Sequence, residues 1–305
     1  MLKTLIKTWA AEIGFDLAGI APAETPPQAE NLPPWLAEGC HASMRYLADH
    51  PEQRMDPRRA FPGSKIIICV ALNYFTADLP SAGKLGIARY ARGRDYHTVM
   101  RARLDLLISR LRQMTNAPDA WFRAVVDSSP IMEKLHAARA GLGWIGKNSL
   151  LINERYGSWL VLGEIITNLE LQPDEPVADR CGDCRRCLEG CPTGALVAPH
   201  RLDARNCLSF WTIESREAIP PILHKCLSDR LFGCDACQEA CPWNSPGIPT
   251  AHPEFRPDPG RKLPNLNELL HLSSAEIKKI CAGTSLARAK PQHLRQIAQI
   301  IMNDI

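Results

Sequence analysis

The sequence lacks any apolar run long enough to cross a bilayer: its longest, Ile66 to Leu72, is far below the roughly 20 residues a spanning helix needs. No secretory signal is legible, because MLKTLIKTWAAEIGFDLAGIAP carries acidic residues and a helical period in place of a continuous apolar stretch. A soluble, cytoplasmic protein without membrane contact is expected. No G-x-G-x-x-G follows a strand and no G-x-x-x-x-G-K-S/T loop is present, so neither a dinucleotide nor a nucleotide triphosphate site has support. Charge of one sign is also scarce: a net charge of +3 is too mild for a generic polycation that coats nucleic acid, and it neither demands nor forbids an RNA partner. Cysteine is sparse over most of the chain, where only Cys40, Cys69 and Cys281 occur, each read as a small buried hydrophobe.

What is present is enough apolar material for a packed core, 45% hydrophobic residues over 305 positions, and 25 prolines that favour short connections. Apolar residues at Leu2, Leu5, Ile6, Trp9, Ala10 and Ile13 predict an opening helix that stops at Gly14. A short helix is expected over Trp35–Leu47 and a buried strand over Ile66–Leu72. A long helix follows at Tyr96–Met114, then a strand at Phe122–Val126 and a helix at Ile131–Ala140 ending at Gly141 and Gly143. Strands Ser149–Ile152 and Trp159–Ile166 should complete the sheet. Residues 1–170 thus read as an α+β layer with one core. The polar LQPDEPVADR reads as a linker into a cysteine-rich unit, residues 171–245. Residues 246–305 form a Pro-dense loop and three short helices, Asn265–Leu270, Ser274–Ile280 and Gln292–Met302, the second capped by Ser273 and Ser274.

Nine of the twelve cysteines lie between Cys181 and Cys241. Cys181, Cys184, Cys187 and Cys191 with Pro192 have the C-x2-C-x2-C-x3-C-P spacing of bacterial ferredoxins, and Cys234, Cys237 and Cys241 with Pro242 form a partial second copy. In this arrangement the cysteine before proline reaches across to the other cluster. One 4Fe–4S cluster is therefore assigned Cys181, Cys184, Cys187 and Cys241. The other is assigned Cys191, Cys234, Cys237 and a thiolate from elsewhere, since a simple duplication would place it at Leu231. Cys207 and Cys226 are the two candidates. A zinc site would not explain two Cys-Pro endings, and disulfides do not suit a chain read as cytoplasmic. Clusters move single electrons, and a mere carrier has no use for some 170 preceding residues, so that portion is expected to hold a second redox cofactor or a substrate.

VDSSPIMEKLHAARAGLGWIGKNSLLI, GSWLVLGEI, CGDCRRCLEGCPTGAL, LDARNCLSFWTIE and FGCDACQEACPWN, with RMDPRRAFPGSKIII and RYARGRDYH upstream, resemble the epoxyqueuosine reductase family over about residues 3 to 290. The resemblance implies a cobalamin-binding domain like that of reductive dehalogenases, followed by a ferredoxin-like domain with two 4Fe–4S clusters and short C-terminal helices. It implies reduction of epoxyqueuosine to queuosine at the wobble base of a tRNA anticodon loop by a monomer, fed by an external one-electron donor of flavodoxin or ferredoxin type. It assigns the proton donor to Asp127 and the eighth cluster ligand to Cys207, which leaves Cys226 unassigned. Positions matching cobalamin contacts are Arg54, Tyr90, Leu151, Leu162 and Ser209, together with Asp127. Many members continue into a helical-repeat domain whereas this sequence stops at Ile305, so RNA binding is expected to be weaker or differently arranged.

From the residues themselves, Asp127 follows a strand and precedes a helix with Pro130 near its first turn, a place where side chains enter a crevice. Acid catalysis on an epoxide calls for a carboxyl whose pKa is raised by an apolar lid. Arg54 suits the phosphate or amide arms of a corrinoid. The glycines of 141–147 read as a turn beneath a ligand, not a phosphate cradle, because Asn148 leads into a strand. Arg201, Arg205, Phe210, Trp211, Arg216, Lys225 and Arg230 are candidates to grip phosphates and stack on splayed bases. A non-catalytic electron carrier, a reductive dehalogenase and a corrinoid chaperone are the rival readings.

Overall fold

The computed structural model describes residues 1–77, 85–115, 117–258, 260–261 and 263–304. Its centre is a four-stranded antiparallel sheet in the spatial order Leu17–Pro22, Ile66–Asn73, Leu160–Thr167, Phe122–Val125. All eight residues of Ile66–Asn73 are buried. Strand alternation explains the continuous apolar run: Ile66, Ile68, Val70 and Leu72 face one core with helices Leu2–Ile13 and Tyr96–Met114, while Ile67, Cys69 and Ala71 face another beneath helix Glu133–Arg139. The first helix ends where the sequence indicates, with Gly14 in the left-handed region at φ 100°.

Three elements depart from the sequence reading. Leu17–Pro22 is a strand that the pattern did not reveal, since it is short, Ala- and Gly-containing and lies at the sheet edge. The helix expected over Trp35–Leu47 is broken: Leu32–Ala37 is helical, Gly39 and Ala42 take positive φ, and only a 3-10 turn, Arg45–Leu47, follows. Leu151–Ile152 does not join the sheet but pairs with Trp144–Ile145 in a separate ribbon, closed by the turn Gly146–Ser149.

The polar stretch before Cys181 has no regular structure yet is fastened down. Asp174 accepts from Lys3, Lys7 and the main-chain N–H of Ile20 at 2.7–2.9 Å. The cores also cut across the division at 170 and 245. One apolar cluster joins Leu85, Ile87 and Ala91 to residues 204–232 and to the C-terminal helices Leu266–His271, Ser274–Cys281 and Pro291–Asn303. The segment around Thr250–Phe255 packs back on the first core, where His252 Nε2 meets Asp16 Oδ2 at 2.7 Å and Phe255 is buried.

Candidate active site and cluster-binding thiols

Cys181, Cys184, Cys187 and Cys241 line one cavity of about 110 Å³, together with Lys147, Asn148, Ile152, Arg180 and Trp243. Lys147 Nζ donates to the carbonyls of Gly182 and Cys184 at 2.5 and 2.9 Å, shaping the loop that carries the first two thiols. Trp243 stands edge-on to Trp144, ring centroids 5.0 Å apart, on the inner wall. Burial, together with the thiolates of Cys181, Cys187 and Cys184, pushes the Cys241 thiol up.

A second group brings Cys191, Cys207, Cys234 and Cys237 into mutual electrostatic reach. Burial and then the other three thiolates hold the Cys237 thiol well above its usual value. Cys191 is the exception: burial opposes its thiolate, but the N–H groups of Thr193, Leu196 and Ala195 outweigh that and lower its pKa. Cys226 instead points its Sγ at the carbonyl of Pro192, 3.4 Å away. Among the described residues no three Cys, His, Asp or Glu side chains converge as a single-ion site requires. Eight thiols in two quartets, one around a cavity, suit larger inorganic cubes.

Asp127 ends the edge strand in the left-handed region, φ 56°, a conformation that costs a non-glycine residue about 1–2 kcal/mol. Its Oδ2 accepts from Tyr96 Oη at 2.9 Å and lies 3.6 Å from His97 Nε2, while its main-chain N–H donates to Glu133 Oε1 at 2.6 Å. His97 Nδ1 is 2.8 Å from Asp95 Oδ1, so the imidazole sits between two carboxylates. These contacts, Asp127 first, raise the His97 pKa to about 9. The same His97 contact, with Tyr96 adding to it against burial, holds the Asp127 carboxyl below the ordinary range. Without the apolar lid that the sequence reading invoked, these contacts hold Asp127 toward its ionised form, with the protons on His97 and Tyr96.

Behind Asp127 lie two more carboxyls. Burial, then the Asp127 charge, raises Glu133 to about 7. Glu164, opposite Val125 and Cys69 in the sheet, is fully buried, and neither of its oxygens has a hydrogen-bond partner. Lys134 is accessible to solvent yet so surrounded by protein that desolvation lowers its ammonium pKa; Asp127, Glu133 and Cys237 all act on it through space, so the second quartet and the acid lie within electrostatic reach of one lysine.

Of the other candidate contacts, Arg54 faces the same space as Asp127 and Glu133; Nη2 donates to the Tyr46 carbonyl at 3.0 Å while Nε is buried without a partner. An orphaned guanidinium N–H there fits an amide- or phosphate-bearing cofactor. Tyr90 lies in an aromatic string between Tyr74 and Tyr96. Ser209 neighbours Cys207. Leu162 is half-buried, but Leu151 is only 3% exposed in the core, so its main chain alone could meet a ligand. Phe210 and Trp211 are buried in the second core and cannot stack on bases, a correction of the sequence reading. Arg205 is bound by Asp203, Arg201 by Glu38, and Arg216 by the carbonyls of Ile213, Ser215 and Arg288; Lys225 is exposed and Arg230 half-exposed. Sequence reasoning missed Tyr96, His97, Glu133, Lys134 and Glu164. The available signal was Asp95 as the cap of a helix whose first residues are Tyr96 and His97.

Two thiol quartets of ferredoxin type, together with the carboxyls of Asp127, Glu133 and Glu164, define an iron–sulfur oxidoreductase. A family model described as 4Fe-4S double cluster binding domain matches residues 180–244, and one described as Epoxyqueuosine reductase QueG, DUF1730 matches residues 54–128. The epoxyqueuosine reductase of Leadbetterella byssophila is 41% identical over 292 residues, 95% of each chain, and that of Escherichia coli is 39% identical over 98% of this chain and 79% of its own. A crystal structure of epoxyqueuosine reductase with an epoxyqueuosine-modified tRNA-Tyr stem loop superposes with TM-score 0.90 at 33% identity, over 99% of this chain and 81% of that one. The Bacillus subtilis enzyme, solved with its catalytic aspartate loop swung out of the active site, gives TM-score 0.88 at 32% identity with the same coverage. The chain belongs to the epoxyqueuosine reductase family.

Proposed function

We propose that this protein reduces epoxyqueuosine to queuosine at the tRNA wobble position, with Asp127 delivering protons to the epoxide oxygen. Cys181, Cys184, Cys187 and Cys241 hold one 4Fe–4S cluster; Cys191, Cys207, Cys234 and Cys237 hold the other. Arg54, Tyr90, Leu162, Ser209 and the Leu151 main chain meet cobalamin. When bound, the clusters and the corrinoid supply the two electrons. The observation that carries the reading is that a ferredoxin-type thiol quartet and the acid both lie within electrostatic reach of Lys134.

The reaction consumes two electrons and two protons; the epoxide oxygen leaves as water and a carbon–carbon double bond remains. An ionised Asp127 passes protons only if a neighbour restores them. His97, with a pKa of about 9, holds one at neutral pH and lies 3.6 Å from Asp127 Oδ2, while Tyr96 orients the same oxygen. Asp95 keeps the imidazole in place through Nδ1. Electrons come from an external one-electron donor, and the first quartet, which borders the cavity, is where it delivers them.

The test is anaerobic loading with iron, sulfide and cobalamin, then incubation of epoxyqueuosine-containing tRNA with a strong one-electron reductant. Cobalamin-dependent formation of queuosine that Asp127→Ala abolishes is expected. Full iron loading with no corrinoid bound and no queuosine would sink the reading in favour of an electron carrier.

A further inference from the structure

We infer that Glu133 is a positioning residue that latches the catalytic loop: as a carboxylate it accepts the Asp127 main-chain N–H and holds that residue against Tyr96 and His97, while Glu164 behind it keeps the proton of the pair. The value of the latch for catalysis rests on the proposed reductase reading; the latch itself does not.

Asp127 adopts φ 56°, and Ser128 N–H turns back onto the Val126 carbonyl at 2.6 Å, so the chain bends sharply as it leaves the strand. Outside the turn, the hydrogen bond from Asp127 N–H to Glu133 Oε1 ties residue 127 to the start of the next helix. Glu164 has a different character. It is fully buried on the central strand with both oxygens unpartnered, a placement that destabilises a charged carboxylate and gives no packing reward over an apolar residue. Glu133 is part-buried against the fully buried Glu164, and two such adjacent carboxyls do not both ionise, so one proton stays on the pair.

The surroundings decide which one ionises. Toward Glu133 face Asp127, Tyr96 and His97, Arg54, Lys134 on its own helix, Cys69 on the neighbouring strand and Glu164 on the central strand. It thus has one donated N–H and three cationic or potentially cationic groups. Glu164 receives no N–H; it faces Glu133 within hydrogen-bond reach, Asp127 and, across the sheet, Cys69, and the Glu133 and Asp127 charges add to burial in keeping it protonated. With Glu133 raised to about 7, the latch tightens as pH rises through neutrality and slackens below it.

The test compares holoenzyme carrying Glu133→Gln, Glu133→Ala and Glu164→Gln by amide hydrogen exchange of residues 126–132 and by steady-state kinetics across pH. Glu133→Ala should speed exchange and lower kcat by about tenfold or more, as loss of a hydrogen bond to a charged group does, with KM for tRNA little changed. Glu133→Gln, whose amide oxygen still accepts, should stay near wild type in exchange but lose the acid limb of the kcat profile. Glu164→Gln, isosteric with the protonated acid, should keep exchange of residues 126–132 slow at neutral pH, and faster exchange there overturns the assignment of the proton to Glu164. If Glu133→Ala does not load its clusters, Glu133→Asp, one methylene too short, carries the same expectation. Unaltered exchange and kcat in the Ala or Asp variant overturns the latch. Faster exchange in a protein whose wild type forms no queuosine would leave the latch standing and remove the reductase reading.

Discussion

The two thiol quartets come from related motifs but sit in unlike surroundings. Cys181, Cys184, Cys187 and Cys241 border an accessible cavity with Lys147 and Arg180, on a loop flanked by exposed arginines. Cys207 and Cys234 pack against the core that the C-terminal helices complete, whereas Cys241 is buried in a separate small cluster with Trp144 and Ile152; burial raises thiols in both quartets. Exposure and N–H donors to sulfur set cluster potentials. The quartets thus rest on different shells: an outer end that lines the cavity, and an inner end, within electrostatic reach of Lys134, on the core that the C-terminal helices complete.

Removing one thiol from each end sharpens that contrast with the largest effect. Cys207→Ser should lose about four of about eight irons, the content of one of two cubes, and all queuosine formation with any reductant. Cys181→Ser should lose turnover with a protein donor but keep part of it with a small, strong reductant that reaches the inner end directly. Cys226→Ser should match wild type in iron content; if it lost a cluster and Cys207→Ser did not, the second quartet would be misassigned.

Asp127→Asn leaves both quartets intact and tests the acid alone. Its kcat should fall about 10²- to 10⁴-fold, the range of a lost general acid, with unchanged iron and visible spectra. The pH profile gives the sign of the proton store. His97 is raised from 6.5 to about 9, so its proton is fully in place below 6.5 and is lost as pH rises through about 9; turnover should decline on that limb, and Asp127→Asn should move the limb downward. Rates that climb steadily past pH 9 would exclude His97 as the store.

How the sequence foreshadowed these features follows from their physics. Ligand spacing is local, so the first quartet was legible whole, and the second lacked only a choice between Cys207 and Cys226, which depends on a fold bringing residue 207 back beside 234 and 237. Ile66–Asn73 was legible because both of its faces are buried. Leu17–Pro22 was not, since an edge strand needs few apolar residues. Asp127 could be singled out, but not the direction of its pKa, because Tyr96 and His97 reach it from a helix 31 and 30 positions earlier. Glu164 sits in an apolar strand where an alternating pattern gives no warning of a buried charge.

Arg89 tests the comparison through stability. It is 5% exposed, 2.7 Å from Glu239, 3.5 Å from Asp235 and 4.8 Å above the Trp159 ring, and its main-chain N–H donates to Asp235. Asp235 follows Cys234, so Arg89→Met strands a buried carboxylate next to the inner quartet and should cost about 3–5 kcal/mol. On heating, iron–sulfur absorbance should then vanish in two steps, the inner cluster first, in place of a common loss.

The smallest expected effect acts from farthest away. Ser273 caps helix Ser274–Cys281 in a capping box, Oγ accepting from Glu276 N–H while the Glu276 carboxylate accepts from Ser273 N–H at 2.7 Å. Ser273→Ala should cost about 1 kcal/mol. That helix contributes Ile277 and Cys281 to the same core that Cys207 and Cys234 pack against, and nothing to the cavity of the first quartet. A loosened cap therefore opens the shell around the inner thiols alone, and an increase of about fivefold in that opened population follows from about 1 kcal/mol. Oxygen-driven bleaching in the variant should speed up for half of the absorbance and stay at the wild-type rate for the other half. Equal acceleration of both halves would mean that the two quartets share one protective shell, and the contrast between two separate shells would not hold.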